Sequence, residues 1–200
     1  MNKQRNAWFP FFLAVVFALG CAVTFARHHH AKPSQGSPPG QFDYYVLTMS
    51  WSPTYCLTHP QDHNQCSGKG YGFVLHGLCN SLFPSPNLVE HEWQRHGTCS
   101  GLDAISYFRT ADKALASVHV PKNFEAPRNS LSMTGLQILS AFHDANPSIP
   151  GDGMIVACGR GELSEVRICL TRGLAPRACG KGMRSSCPAS PVDIPATRGQ

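Results

Sequence analysis

The sequence predicts an α+β domain, a central and mostly antiparallel sheet with helices packed beside it and disulfides to hold it. Three observations lead there. Segments with strand and helix periodicity are mixed without a βαβ rhythm and without an internal repeat. Hydrophobic residues make up 42 % of the 200 residues, enough for a core, while charged residues are only 14 %. Nine cysteines are a high count for such a length. Together these exclude a disordered chain, a coiled coil, a long helical repeat and a multi-pass membrane protein.

At the N-terminus, Lys3 and Arg5 precede an apolar run from Ala7 to Phe25, and small residues come after it. A basic start, an apolar stretch and a small-residue exit describe a secretory signal, with cleavage expected after Ala26. A retained membrane anchor is the alternative, because the run approaches the length of a bilayer span; a lipid anchor on Cys21 is a third. Each of the three exports the remainder, to the periplasm or outside the cell, and cleavage leaves no stable membrane association. Residues 27–41, rich in Pro, Gly and His, read as a flexible linker whose three consecutive histidines are solvated. The domain is expected over 42–190, with an unstructured tail over 191–200.

Phe42 to Trp51 alternates as a strand, with Tyr45, Leu47, Met49 and Trp51 on one face, and Ser52-Pro53 breaks it. Tyr71 to Leu78 is a second strand, with Val74, His76 and Leu78 on one face and Phe73 and Leu75 on the other. Ser85-Pro86 offers an N-cap and a first-turn proline, and Gly97 a stop, for a short helix over 86–96. Ile105, Phe108, Ala111, Leu115 and Val118 recur at helical spacing, so 103–118 is a helix. Ser132 is expected to cap another, with Leu136, Leu139 and Phe142 inside and Pro147 beyond its end. Met154–Cys158 and Leu163–Leu170 flank Gly159-Arg160-Gly161 as a hairpin.

Export changes the meaning of the cysteines and the charge. Cys21 falls within the signal, and an even set of eight remains for an oxidising compartment. No tight Cys-x2-Cys pair suggests zinc, so disulfides are expected, though spacing alone leaves 105 pairings open. Loss of Lys3 and Arg5 lowers the net charge from +5 to +3, mild and compatible with an anionic substrate.

The chemistry concentrates in Glu90-His91-Glu92-Trp93-Gln94-Arg95-His96. On a helix, with His91 at 0°, Arg95 falls at about 40°, Glu92 at about 100° and His96 at about 140°, so one face carries two imidazoles, a carboxylate and a fixed cation. A zinc protease motif needs histidines four apart, and these are five apart. A surface helix with salt-bridged histidines is a second reading. Acid–base catalysis with a charge clamp is the third, since imidazole exchanges protons near neutral pH and a guanidinium stabilises phosphoryl oxygens. His76, within an otherwise apolar strand and followed by Gly77, adds a third imidazole 15 positions before His91.

These residues resemble a known family. Val74-Leu75-His76-Gly77-Leu78 and His91-Glu92-Trp93-Gln94-Arg95-His96-Gly97-Thr98-Cys99 are similar to the two catalytic segments of the T2 ribonucleases. Leu47 to Cys56 resembles their first core strand, Gly161 to Cys169 a late hairpin strand, and Pro176 to Cys179 the segment after that strand, so the likeness covers roughly 42–187. It implies a metal-independent endoribonuclease without cofactor, acting as a monomer on single-stranded RNA through a 2′,3′-cyclic phosphate. DNA, without a 2′-hydroxyl, is not cleaved. By the same resemblance His96 is the general base, His76 the acid, and His91 the phosphate holder. Glu92 and Arg95 stabilise the transition state, Arg95 standing where the family more often has Lys, and Trp51 is assigned to substrate binding. The resemblance also implies four disulfides: Cys56–Cys66, Cys79–Cys99, Cys158–Cys187 and Cys169–Cys179.

The sequence departs from the family after Leu78. Cys79-Asn80 stands where the family has Trp-Pro and a longer segment, as though a block were missing near Cys79. That loss is expected to damage one base-stacking subsite, and it keeps open a catalytically impaired RNA-binding or structural protein, or an omission in the gene model.

Overall fold

The structure is a computed structural model of the 200-residue chain that describes residues 39–78, 93 and 97–197. All of these fall within one compact unit, Gly36–Gln200. The signal, most of the linker and the helix expected over 86–96 lie outside the described residues, apart from Trp93.

Strand β1 (Tyr45–Trp51) alternates as expected. Tyr45, Leu47, Met49 and Trp51 are buried, while Val46 and Ser50 face the other side and are part-exposed. It pairs antiparallel with β2 (Phe73–Leu78) on one side and with β5 (Glu162–Leu170) on the other. β4 (Met154–Gly159) pairs antiparallel with β5. Their connection is a two-residue turn with Arg160 at φ 55° and Gly161 at φ 84°, the left-handed pair that matches hairpin twist. β3 (Leu131–Met133) and β6 (Val192–Ile194) complete a six-stranded sheet in the order β2-β1-β5-β6-β3, with β4 against β5 off that path. One pairing, β5 with β6, is parallel, so the sheet is mostly antiparallel as expected.

Two helices close the core against the sheet. Helix α3 (Ala104–Ala116) buries Tyr107, Ala111 and Ala114, and Asp103 caps it by accepting from Ser106 N. Helix α5 (Gly135–Ala145) buries Ile138 and Phe142. The short α4 (Lys122–Glu125) adds Phe124. Trp51, Phe73, Phe124 and Phe142 form an aromatic cluster with centroid separations of 4.9 to 6.0 Å. Burying each such ring stabilises the fold by roughly 1.5–3 kcal/mol.

Several expectations are corrected. Ser52-Pro53 does end the strand, but the proline occupies the first turn of helix α1 (Ser52–Thr58), where its missing N–H costs nothing. A second short helix, α2 (His63–Cys66), comes next. Ser132 lies in β3, and the cap of α5 is Thr134, in a capping box with Gln137. Of the residues expected inside, Phe142 is buried and Leu139 part-buried, but Leu136 is 79 % exposed, and Ile138, on the same face as Phe142, takes the second buried place. Residues 191–197 are not an unstructured tail: β6 pairs with β3, and Asp193 N donates to Gly161 O at 2.9 Å. A three-residue strand is too short to show periodicity.

Three of the implied disulfides are present: Cys56–Cys66, Cys158–Cys187 and Cys169–Cys179. The first joins α1 to α2, and the third ties the end of β5 to the loop after it. The Cys79–Cys99 pairing lies outside the described residues.

Candidate active site

The site begins with a break in alternation. Across β1 and β2, Thr48 pairs with Gly77 but Met49 pairs with Leu75, so His76 is the extra residue of a β-bulge. Gly77 adopts φ 154°, which residues with a side chain rarely reach, and this lets the strand kink. The bulge corrects the expected faces. Leu78 pairs with Leu47 and joins Leu75 and Phe73 on the core side, while His76 is left on the opposite, polar face. A bulge therefore lets an apolar strand carry an imidazole without burying it.

That polar face is built across three strands. Ser50 of β1 pairs with Val74 of β2 and with Glu165 of β5. His76 Nδ1 lies 2.8 Å from Ser50 Oγ and 2.9 Å from Glu165 Oε1. Arg167, two residues on and hence on the same face, donates from Nε to Glu165 Oε2 at 2.8 Å, with Nη2 at 2.7 Å from the same oxygen. The Glu165 carboxylate is thus held at both oxygens, one by an imidazole and one by a guanidinium. Burial alone would raise its pKa. The hydrogen bonds from His76 and Arg167, with their positive charge, outweigh burial and hold the carboxyl below its ordinary range.

His76 remains accessible, with 43 % of its side chain exposed against 15 % for Glu165. Both line an open cleft of about 260 Å³, bounded by Tyr55 and Thr58 of α1 and by Arg160 and Glu162 at the hairpin turn. Tyr55 is fixed there, its hydroxyl donating to Asp62 Oδ2 at 3.1 Å and its ring stacked on His59 at 4.1 Å. The cleft therefore combines an imidazole oriented by a carboxylate, further charges of both signs, and room for a polar ligand. Among the described residues no group of three or more His, Cys, Asp or Glu could hold a metal ion.

Of the site residues expected from the sequence, His76 is where a proton donor could meet a ligand. His91, Glu92, Arg95 and His96 lie outside the described residues. Gly97 is buried, and a side chain at its position would collide with the Trp93 ring, so this glycine lets the segment pack closely. Trp51, expected to bind substrate, is among the residues lining the cleft, yet its side chain has no exposed surface and its indole N–H donates to Pro195 O at 2.9 Å. Sequence reasoning missed Ser50, Glu165 and Arg167. The available signal was alternation, which sets Glu165 and Arg167 opposite Val166 and Ile168.

Comparison with known proteins accords with this fold. The Ribonuclease T2 family model matches residues 81–179, a range that includes the His91–His96 segment and Glu165 but not His76. A ribonuclease of Aeromonas hydrophila is 40 % identical over 96 residues, which cover 36 % of this chain and 44 % of that protein. Ribonuclease DdI of Dictyostelium discoideum is 25 % identical over 206 residues, covering 82 % of this chain and 89 % of that one. Among solved structures, the S-like ribonuclease trichomaglin superposes with a TM-score of 0.62 at 18 % identity, covering 80 % of this chain and all of that one. The family match, these relatives and the structural neighbour are all T2 or S-like ribonucleases, the class of protein to which this chain is similar in sequence and in fold.

Proposed function

We propose that this protein is an exported, metal-independent endoribonuclease that cuts single-stranded RNA by transphosphorylation. The supporting observation is His76, raised from the sheet by a bulge and ion-paired to Glu165 in an open cleft. In the proposed reaction His96 removes the proton of a ribose 2′-hydroxyl, and the 2′-oxygen attacks the adjacent phosphorus. The bond to the 5′-oxygen breaks, and His76 donates a proton to that leaving oxygen. A 2′,3′-cyclic phosphate and a free 5′-hydroxyl result. His91 holds the phosphate, and Glu92 and Arg95 balance charge on the crowded phosphoryl group. The scheme needs one base, one acid and positive charge, and each is available from side chains. DNA lacks the attacking hydroxyl.

Export fits the same reading. Three disulfides suit an oxidising compartment, and residues 1–26 are assigned as the cleaved signal, residues 27–41 as a linker. The mature protein is assigned as a monomer, secreted or periplasmic.

The test is direct. Purified protein incubated with RNA in EDTA should release fragments ending in 2′,3′-cyclic phosphate, and His76→Ala should slow release by about 10²–10⁴-fold, the usual worth of a general acid. Absence of cyclic ends, or cleavage unchanged by His76→Ala, overturns the proposal. RNA binding without turnover would instead identify an impaired relative.

A further inference from the structure

We infer that Glu165 is a positioning residue for His76, locking its ring by accepting from Nδ1–H so that Nε2 is the nitrogen that handles the transferred proton. The inference rests on the ribonuclease reading for its catalytic meaning, but the interaction stands on geometry alone. The Nδ1 to Oε1 distance is 2.9 Å, and an ionised carboxylate can only accept, so the hydrogen is on Nδ1. A second acceptor, Ser50 Oγ, lies 2.8 Å from the same nitrogen, so two points on neighbouring strands fix the ring plane. The pairing of Ser50 with Glu165 in the β1–β5 ladder sets both at one level of the sheet, and the bulge delivers His76 to them.

Arg167 gives the arrangement its direction. Bound through Nε and Nη2 to Oε2, it occupies one carboxylate oxygen and leaves Oε1 turned to the imidazole. It also keeps Glu165 ionised when His76 is neutral, so the carboxylate is present as an acceptor throughout a proton-transfer cycle. Histidine with a buried anion at one nitrogen holds its second proton more tightly, the property an acid must have to be charged at the start of each turnover. Among the described residues, the other titratable or charged groups around this cleft are Tyr55 on α1 and Arg160 and Glu162 at the hairpin turn. Arg160 and Glu162 are of opposite sign and lie at the rim, whereas Glu165 touches the ring directly.

Glu165→Gln keeps the size and an acceptor but removes the charge. The expected result is a fall of about one unit in the pKa of His76, followed by NMR of its imidazole, since an adjacent opposite charge shifts such groups by one unit or more. The alkaline limb of the rate profile should move to lower pH by the same amount, with kcat reduced about tenfold at neutral pH and KM little changed. Glu165→Asp should restore part of both. An unchanged His76 pKa in a folded Glu165→Gln protein overturns the inference. The NMR measurement needs no substrate, so it decides the role of Glu165 even if the wild-type protein does not cleave RNA. Activity without the pKa change would instead refute Glu165 while sparing the ribonuclease reading.

Discussion

Glu165 bears on stability as well as on His76. Its folded-state carboxyl sits below the ordinary value of 4.5 because hydrogen bonds from His76 and Arg167 outweigh burial. A carboxyl depressed in the folded state stabilises the fold at pH above its unfolded value, and that contribution is lost as pH falls through the folded value. The urea midpoint of the wild type should therefore exceed that of Glu165→Gln at pH 6. The two should converge as pH drops below about 4, since protonation then removes what the substitution removes. A difference that stays constant from pH 6 to 3 would show that packing, not charge, is what Glu165 supplies. This residue was not legible in the sequence as a partner of His76, because 89 positions separate them and only the folded sheet sets them side by side. His76 itself was legible, as a polar residue in an apolar strand beside a glycine.

At the scale of the element, β2 shows why alternation is an incomplete guide. Period two places His76 and Leu78 on one face, yet a single inserted position returns Leu78 to the core and leaves His76 outside. The clue was Gly77, whose φ of 154° marks where the strand is re-aimed. Gly77→Ala is expected to cost about 1–3 kcal/mol of folding stability, because a residue with a side chain would sit in a sparsely populated backbone region. It should also lower the proposed RNA cleavage more than a core substitution of equal stability cost, because the bulge sets the direction of His76. Chemical denaturation and initial rates on the same preparations check both. The longer helices were more legible: α3 begins one residue inside the expected span, at the Asp103 cap. The start of α5 was misjudged by two residues because Ser132 and Thr134 are both good caps, and the β3–β6 pairing claims the first.

For the whole molecule, the α+β class and the implied pairs Cys56–Cys66, Cys158–Cys187 and Cys169–Cys179 agree with the structure. The closing strand β6 was illegible, since three residues carry no pattern of their own and are fixed by long-range pairing. Its bonds reach far back: Trp51 donates to Pro195 O across 144 positions, and Thr197 Oγ1 donates to Pro127 O across 70. Ending the chain after Pro191 should abolish cooperative thermal unfolding and expose Trp51, read as a red shift of its fluorescence. A truncated protein that still unfolds cooperatively with a buried tryptophan would show that β6 is dispensable.

The same bonds set a timetable. A chain made from its N-terminus can form the β1–β2 pairing early, but the buried indole of Trp51 lacks its acceptor until Pro195 has emerged. Until then the domain is unfinished, with β3 lacking its partner strand. Completion of the sheet waits for β6, whose Asp193 pairs with Glu162 and so ties the hairpin turn at the rim of the cleft to a strand made about 30 residues later.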